Sequence, residues 1–286
     1  MKYWIIFAKA LLLLSGCEGY NHSSLQELST LEGKAQTIYT IAFSNDGKHL
    51  VAGGSKLPSF DDNLIEIWDT KTWKSTELST KHRKKVSRLS FIPKNQNKLI
   101  SADSGGEVYL WNLEKETITD VLKEGVSGQF HFVIDELAIS PDGQFLVIGE
   151  DKKSLILRNL KTKTTQKLIP NKEKYWLSLS FSKDGNFLAI VSTNNVDLSS
   201  ENQNSKIEVW DLKQKKVVRS IQRKGFSIAK FIPNNYDLVI SNSGENSYIE
   251  LWDVMSGKQK QTFLQKNKTR IKSLAFSPNG EILAWV

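Results

Sequence analysis

Few residues of this 286-residue chain have the types and spacing that chemistry requires. The chain has four histidines, scattered without the spacing of metal ligands: His22, His49, His82 and His131. Four carboxylates are candidates for Ca²⁺, but no EF-hand loop pattern joins them: Asp61, Asp62, Asp197 and Glu201. We find no Gly-rich phosphate loop, no nucleophile elbow and no Ser/His/Asp set at a recognisable spacing. The sequence therefore predicts no catalytic residues, no metal and no cofactor, and the protein is not expected to be an enzyme.

The single cysteine, Cys17, follows an apolar run that begins at Trp4 after a basic start, Met1-Lys2. The run is shorter than the roughly 20 residues of a transmembrane helix and is typical of a secretory signal. Its ending, Leu14-Ser15-Gly16-Cys17, resembles the lipobox of bacterial lipoproteins. The resemblance implies a signal peptide over residues 1–16, acylation of Cys17 and a tether over residues 17–24. It also implies a bacterial cell-envelope location, in the outer membrane if the cell has one. A chance cysteine near an ordinary export signal is the alternative.

The rest of the chain repeats two short modules. The first alternates with period two and four times ends in Trp followed by Asp or Asn, with one degenerate copy: residues 65–69, 108–112, 155–159, 207–211 and 249–253. The second lies upstream, often ends in Asp-Gly or Asn-Gly, and starts at residues 41, 89, 137, 179, 229 and 274, which are 42 to 50 residues apart. Because Gly and Asn accept positive φ, these pairs predict hairpin turns. Each repeat unit is therefore predicted to form four strands.

This pattern resembles the WD-repeat β-propeller family, whose blades are four-stranded units of about 40–45 residues. The resemblance covers about residues 25–286 and implies an all-β propeller. Blades are expected near residues 38–80, 86–122, 133–168, 176–222 and 226–264, with a partial sixth at 271–286. The repeat residues that carry the resemblance are Trp68, Asp69, Trp111, Trp210, Asp211, Trp252 and Asp253.

In this family a His, a Ser, an Asp and the Trp form a buried hydrogen-bond network. Here His82 and Ser101 stand at the matching positions, but Gly105 occupies the position of the Asp. The other blades have no such His. We therefore expect the blades to be divergent and to rely on apolar packing more than on the network.

Both ends of the propeller region lead to expectations about ring closure. Residues 25–31 resemble a fourth strand that joins the last blade, as in the family. The last residues, 282–286, are expected to be a second strand in mid-course. A ring closed there would lack one strand, so we expect the sequence to be truncated and the whole protein to have six or seven blades.

The net charge is +8, and the basic residues cluster in one connection between predicted blades. The cluster suggests an electrostatic docking surface for an anionic protein partner: Lys81, Arg83, Lys84, Lys85 and Arg88. Phe60, in the long loop 54–63, is a candidate apolar anchor, and loop 193–205 is also longer than the fold needs. The alternatives are solubilising charge, edge-strand protection and tolerated insertions.

These observations predict a non-catalytic, lipid-anchored propeller that mediates protein–protein interaction at the bacterial cell envelope. No nucleic acid or small-molecule substrate is indicated. The alternative is an enzyme in which the propeller caps a hydrolase or peptidase domain lost from the C-terminus. The natural sequence beyond Val286 would distinguish them, since a Gly-x-Ser-x-Gly motif there would indicate the hydrolase.

Overall fold

The computed structural model describes residues 11–13, 33–56, 63–123, 136–150, 154–169, 174–194, 204–243, 247–264, 271, 273–277 and 279–285. In this part of the chain the regular structure is β throughout. No helix within it has the length and apolar character needed to cross a membrane.

The strands form antiparallel sheets whose order follows the chain. Sheet 1 contains β2 (Thr37–Phe43), β3 (His49–Ser55), β4 (Asn63–Asp69) and β5 (Ser75–Leu78). Sheet 2 contains β6 (Val86–Ile92), β7 (Asn95–Asp103), β8 (Val108–Asn112) and β9 (Thr117–Lys123). Sheet 3 contains β10 (Leu137–Ile139), β11 (Phe145–Glu150), β12 (Ser154–Asn159) and β13 (Thr165–Ile169).

Two further sheets repeat this order. Sheet 4 contains β14 (Tyr175–Phe181), β15 (Phe187–Thr193), β16 (Asn204–Asp211) and β17 (Lys216–Lys224). Sheet 5 contains β18 (Phe226–Phe231), β19 (Asp237–Ser243), β20 (Tyr248–Asp253) and β21 (Lys258–Leu264). Sheet 6 has three strands in the order β1 (Leu11–Leu13), β23 (Ile282–Trp285) and β22 (Leu274–Phe276). The predicted all-β fold of four-stranded, WD-like blades is confirmed.

The first turn of the repeat is built in the same way in four sheets. In sheet 1, Ser44 Oγ donates to Asp46 Oδ1 at 2.7 Å and accepts the N–H of His49 at 2.9 Å. Gly47 follows with a φ of 69°, a left-handed conformation that Gly adopts without steric cost. Equivalent bonds recur from Ser140, Ser182 and Ser277. The hairpin turns predicted at the Asp-Gly and Asn-Gly pairs are therefore present, and a side-chain bond reinforces each.

The described strands fall into two compact units, one with β2–β10 and the other with β1 and β11–β23. In the first unit, sheets 1 and 2 pack through buried apolar faces. Val51 and Ile65 of sheet 1 share a cluster with Leu99 and Trp111 of sheet 2. Trp68 and Trp111 are 2% and 1% exposed, so both indoles are core residues.

The second unit has its own core. Ala189 and Val191 of sheet 4 pack with Phe231 and Leu238 of sheet 5, and a further cluster joins sheets 5 and 6. Trp210 and Trp252 are half-buried, less enclosed than the two tryptophans of the first unit. The repeated Trp therefore does not have the same environment in every sheet.

Three residues of the predicted signal peptide form a strand in this structure. β1 pairs antiparallel with β23, with Leu11 opposite Ala284 and Leu13 opposite Ile282. The strand predicted at residues 25–31 lies outside the described residues. Cleavage of the chain before Cys17 therefore stays a prediction, and it would remove β1 from sheet 6.

Replacing a core indole should destabilise the protein strongly. We expect Trp111→Ala to lower the free energy of unfolding by about 3–5 kcal/mol, because the variant loses buried area and leaves a cavity. Trp73→Ala is the control, since Trp73 lies in a turn and is 42% exposed. This replacement should change the free energy of unfolding by about 0.5 kcal/mol or less. Urea denaturation midpoints measure both. Equal midpoints would show that Trp111 is not a core residue.

The turn at Asp184 should make stability depend on pH. Burial alone would raise the pKa of its carboxyl, but hydrogen bonds from Ser182, the Asn186 N–H and Tyr236 lower this pKa to about 2. Because the folded pKa lies below the ordinary 3.8, the stabilisation is present above pH 4 and lost as the pH falls towards 2. Tyr236→Phe removes one donor and should raise the Asp184 pKa in a carboxyl NMR titration. An unchanged pKa would exclude this role of Tyr236.

Candidate functional site

The predicted docking residues lie in the first unit, on the connection from β5 to β6. This loop is held by hydrogen bonds: the N–H of His82 donates to Thr80 Oγ1 at 3.1 Å, and Asn63 Nδ2 donates to the His82 carbonyl at 3.4 Å. The N–H of Ser104, in the turn between β7 and β8, donates to the Lys85 carbonyl at 3.0 Å. The loop is therefore fixed against the sheet and against the neighbouring turn.

Three of the five predicted basic residues are exposed, namely Lys81, Arg83 and Lys84, while Lys85 and Arg88 are half-buried. Arg83 pairs with Glu107 at 2.8 Å, and Arg88 Nε lies 3.3 Å from Glu136 Oε2. The ammonium of Lys85 lies 5.0 Å from the centre of the Tyr39 ring, which is a cation–π contact. Acidic partners thus offset two of the five charges. Phe60 and Cys17 lie outside the described residues.

The side chain of His82, a residue of this loop, is buried and holds the loop against sheet 2. His82 Nε2 lies 2.6 Å from Ser101 Oγ, which also accepts the indole N–H of Trp111 at 2.8 Å. On the other side of the ring, His82 Nδ1 lies 3.3 Å from Asp103 Oδ2. The expectation that this chain keeps little of the family's network is wrong for sheet 2. The family spacing had placed the carboxylate at position 105, which is a glycine in this chain. The structure shows that Asp103, two residues earlier, supplies it.

Asp103 contacts His82 because the turn after β7 binds its carboxylate. Asp103 Oδ1 accepts the N–H groups of Gly105 at 2.9 Å and Glu107 at 2.8 Å. Burial alone would raise the pKa of Asp103, but His82 and these N–H groups lower it below its usual value. The Asp103 carboxylate is therefore ionised at neutral pH inside the protein.

Glu107 is a second buried carboxylate beside the same ring. Its Oε2 lies 3.9 Å from His82 Nδ1 and accepts the N–H of Arg83 at 3.2 Å. Tyr109 packs against the imidazole with 4.7 Å between ring centres. Burial, and then the charge of Glu107, raises the pKa of Tyr109 to about 12, so its phenol stays neutral. Sequence reasoning missed Glu107, because nothing in its spacing from His82 shows that a turn brings them together.

The Asp of each Trp-Asp pair has a local role. Asp69 Oδ1 accepts the N–H groups of Lys71 at 3.0 Å and Thr72 at 2.7 Å. Asp211 and Asp253 accept equivalent N–H groups in their own turns. These bonds hold the pKa of Asp69 and of Asp253 below the usual value. The three aspartates therefore close the turn after the third strand and do not meet in one site.

A repeated glutamate two residues before the Trp was also missed. Glu66, Glu208 and Glu250 are buried, and each has a polar partner. Glu250 Oε2 accepts the Trp252 indole N–H at 2.9 Å and Arg223 Nη2 at 2.8 Å. Glu208 pairs with Lys206 at 2.5 Å, and Glu66 accepts the N–H of Lys34 at 2.9 Å. The sequence did contain a signal for these glutamates, the repeated Ile-Glu-x-Trp-Asp. We interpreted this repeat as a strand and did not predict that its carboxylate is buried.

The sheets and their turns define a protein built from WD-like propeller blades, and comparisons with known proteins agree. Residues 25–69 match the family model described as WD domain, G-beta repeat. The chain is 31% identical over 134 residues to the target of rapamycin complex subunit wat1 of Schizosaccharomyces pombe, covering 46% of this chain and 38% of that protein. It is 25% identical over 201 residues to the target of rapamycin complex subunit LST8 of Mus musculus, covering 61% and 55%.

A third relative is the nuclear pore complex protein nup43 of Dictyostelium discoideum, 26% identical over 96 residues, with 34% of this chain and 22% of that protein covered. In each case the chain spans less than two thirds of the relative's length. The comparisons therefore support the likeness to WD-repeat proteins.

The buried network predicts a clear effect of one hydroxyl. Ser101→Ala should leave the Trp111 indole N–H and His82 Nε2 without partners, at about 1–3 kcal/mol for each group. Ser79→Ala is the matched control, because Ser79 is exposed. Chemical denaturation of the two variants gives the comparison. If Ser101→Ala is no more destabilising than Ser79→Ala, the network does not contribute to stability.

Proposed function

We propose that this protein is a non-catalytic, lipid-anchored β-propeller scaffold that binds other proteins at the bacterial cell envelope. The observation that carries the proposal is the basic loop 81–85, which a buried network holds on a sheet scaffold. A fixed loop loses little conformational entropy when a partner binds, so its charges are available for recognition. Relatives that are named as components of complexes support the same class of function.

The docking surface is proposed around Lys81, Lys84 and the Lys85–Tyr39 contact. Lys81 and Lys84 are exposed, and no described acidic side chain pairs with either of them. Tyr39 is 37% exposed, and its ring contacts the ammonium of Lys85 and adds an aromatic face. Aromatic side chains and unpaired cations suit an acidic partner surface, since aromatics supply contact area and cations steer the approach. Arg83 and Arg88 contribute less, because Glu107 and Glu136 offset them.

The anchor is proposed at Cys17, supported by the sequence Leu14-Ser15-Gly16-Cys17 after an apolar run. Acylation at both the thiol and the new amino group would supply the two or more chains that stable anchoring needs, because one chain binds membranes only marginally. Such an anchor would hold the scaffold at a membrane surface through the tether 17–24.

Lipidation should depend on Cys17 and on its position. In bacterial cells that express the full chain, Cys17→Ser should abolish incorporation of labelled palmitate. A second variant that combines Cys17→Ser with Ser23→Cys should also remain unlabelled, because the thiol then lies outside the lipobox. Equal labelling of wild type and Cys17→Ser would exclude the anchor, while labelling of the double variant would show that any nearby thiol suffices.

Charge reversal should slow partner binding. Cross-linking in intact cells identifies the partner, and binding kinetics then compare the wild type with Lys81→Glu/Lys84→Glu. We expect about a tenfold lower on-rate at low salt, and the loss should fade towards 1 M salt, where charges are screened over about 3 Å. The control is Lys213→Glu/Lys215→Glu, two exposed lysines in the turn between β16 and β17. Equal on-rates for the two double variants would exclude this surface.

Phe60 is proposed to act differently from the charges. As an apolar anchor it should slow dissociation once the complex has formed. Phe60→Ala should therefore raise the off-rate with little dependence on salt, as measured with the same recovered partner. An off-rate equal to that of the wild type would remove Phe60 from the binding surface.

A further inference from the structure

A groove lies in the second unit, between β17 of sheet 4 and the end of β20 in sheet 5. Its volume is about 340 Å³, at the lower end of the range of about 300–1,000 Å³ that ligand pockets occupy in proteins. Ser220 and Gln222 line it and are exposed, so a ligand can reach the groove from solvent. Apolar side chains also contribute to its walls: Val209, Ile221, Leu238, Trp252 and Val254.

One cation that lines this groove, Arg219, lacks an acidic partner. Its guanidinium donates from Nη1 to the Val218 carbonyl at 2.8 Å and from Nη2 to the Met255 carbonyl. Its Nε is buried and has no hydrogen-bond partner among the described residues, and no described acidic side chain pairs with it. Carbonyl oxygens accept hydrogen bonds but do not neutralise a charge. A half-buried guanidinium here therefore favours an anionic ligand.

The other sheets show that the repeat itself does not require this cation. Arg219 lies opposite Val209, the residue before the third-strand Trp position. At the equivalent position of the other four-stranded sheets the fourth strand carries a neutral or acidic residue: Thr76, Asp120, Gln166 and Gln261. Because these sheets form the same pairing without a cation, Arg219 is a feature of this groove and not of the blade.

The turn after β20 leaves room for the guanidinium. At the equivalent turn position, four sheets have a residue with a side chain and a positive φ: Trp73, Glu116, Lys163 and Lys215. In sheet 5 this position is Gly257, with a φ of 73°. A Cβ there would lie 2.8 Å from Arg219 Nε and 3.3 Å from Arg219 Cζ. Since the turn accepts a side chain in the other sheets, glycine at this position permits the close packing of Arg219.

Arg223 holds the aromatic wall of the groove. It donates to Glu250 Oε2 from Nε at 3.1 Å and from Nη2 at 2.8 Å, so Glu250 offsets its charge. Its Cζ lies 5.4 Å from the centre of the Trp252 ring, which is a cation–π contact. Glu250 also accepts the Trp252 indole N–H at 2.9 Å. The indole is therefore fixed, and it is half-buried, which leaves apolar surface for a ligand.

We infer that this groove binds an acidic peptide segment of a partner protein, in which a carboxylate lies next to an apolar side chain. The carboxylate pairs with Arg219, and the apolar side chain packs against Trp252 and Ile221. Loop 81–85 belongs to the first unit, so the groove is a second and independent binding site. The charge of β17 is complementary to such a segment, because the strand contains four cations and no acidic residue: Lys216, Arg219, Arg223 and Lys224.

The experiment measures, by fluorescence anisotropy, how purified full-chain protein binds a short labelled peptide in which Asp and Glu alternate with Leu and Phe. A matched peptide with Asn and Gln in place of the acids should bind about tenfold more weakly or worse, because it offers Arg219 no carboxylate. A second control with Ala in place of Leu and Phe should also bind more weakly, because it buries less apolar area. Absence of binding by the acidic peptide, or equal binding by either control peptide, would overturn the site.

Variants locate the peptide. Arg219→Gln should weaken binding about tenfold or more, whereas Lys216→Gln should change it little, since Lys216 is an exposed cation of the same strand outside the groove. Gly257→Ala keeps every charge but displaces the guanidinium, and it should also weaken binding. Lys81→Glu/Lys84→Glu should bind as the wild type does. Equal affinities of Arg219→Gln and Lys216→Gln, or loss of binding only in Lys81→Glu/Lys84→Glu, would overturn the groove as the site.

Nitrogen-15 NMR of the wild type gives a readout that does not depend on the folding of variants. The Arg219 Nε–H signal should shift as the acidic peptide is added, because the guanidinium gains a carboxylate partner. If Arg219→Gln or Gly257→Ala fails to fold, this signal still decides. An Arg219 Nε–H signal that is unchanged at saturating peptide would contradict the site, and it would leave the proposed docking surface at loop 81–85 unaffected.

Discussion

An unpaired indole N–H is costly inside a protein, and two sheets of this chain supply an acceptor for it in different ways. Four repeats place a Trp near the end of the third strand, where apolar packing is the main stabilising contribution, while sheet 3 has Arg158 at this position. The indole nitrogen is a polar atom within that packing, and an unpaired N–H there costs free energy. In sheet 2 the acceptor is Ser101 Oγ, and in sheet 5 it is Glu250 Oε2. For Trp210 Nε1 we find no acceptor among the described residues.

These two solutions occupy paired positions of neighbouring strands. Ser101 lies opposite Tyr109 in sheet 2, while Ile240 lies opposite Glu250 in sheet 5. Both positions lie on the face that carries the Trp, since side chains alternate with period two. One polar residue at either position supplies the acceptor, and a second polar side chain hydrogen-bonds to that residue. His82 Nε2 lies within hydrogen-bond distance of Ser101 Oγ, and Arg223 donates to Glu250. The divergence of the repeats from the family pattern thus reflects exchange of one network for another.

The sequence could predict the strands and hairpins, which depend on neighbouring residues. It could not predict the contacts between side chains that turns bring together from distant positions. Period-two segments and Asp-Gly turns determined the strands and hairpins, because both depend on residues within about six positions. The Asp of the network was assigned by family spacing to residue 105, whereas Asp103 reaches His82 through its own turn. Counting the basic residues of one connection also leaves out the acidic partners that offset two of them. Arg83 pairs across 24 positions and Arg88 across 48, and no local pattern reveals such partners.

The buried cluster of His82, Asp103 and Glu107 and the surface above it form one structural unit, and this relates stability to recognition. Residues 82–84 connect the two directly: His82 points inward, while the N–H groups of Arg83 and Lys84 bind the carboxylates beside it. Any change in the charge of the cluster therefore acts on the backbone that carries Lys81 and Lys84. Because Asp103 and Glu107 accept these backbone N–H groups, a substitution that displaces either carboxylate removes a contact that fixes the loop.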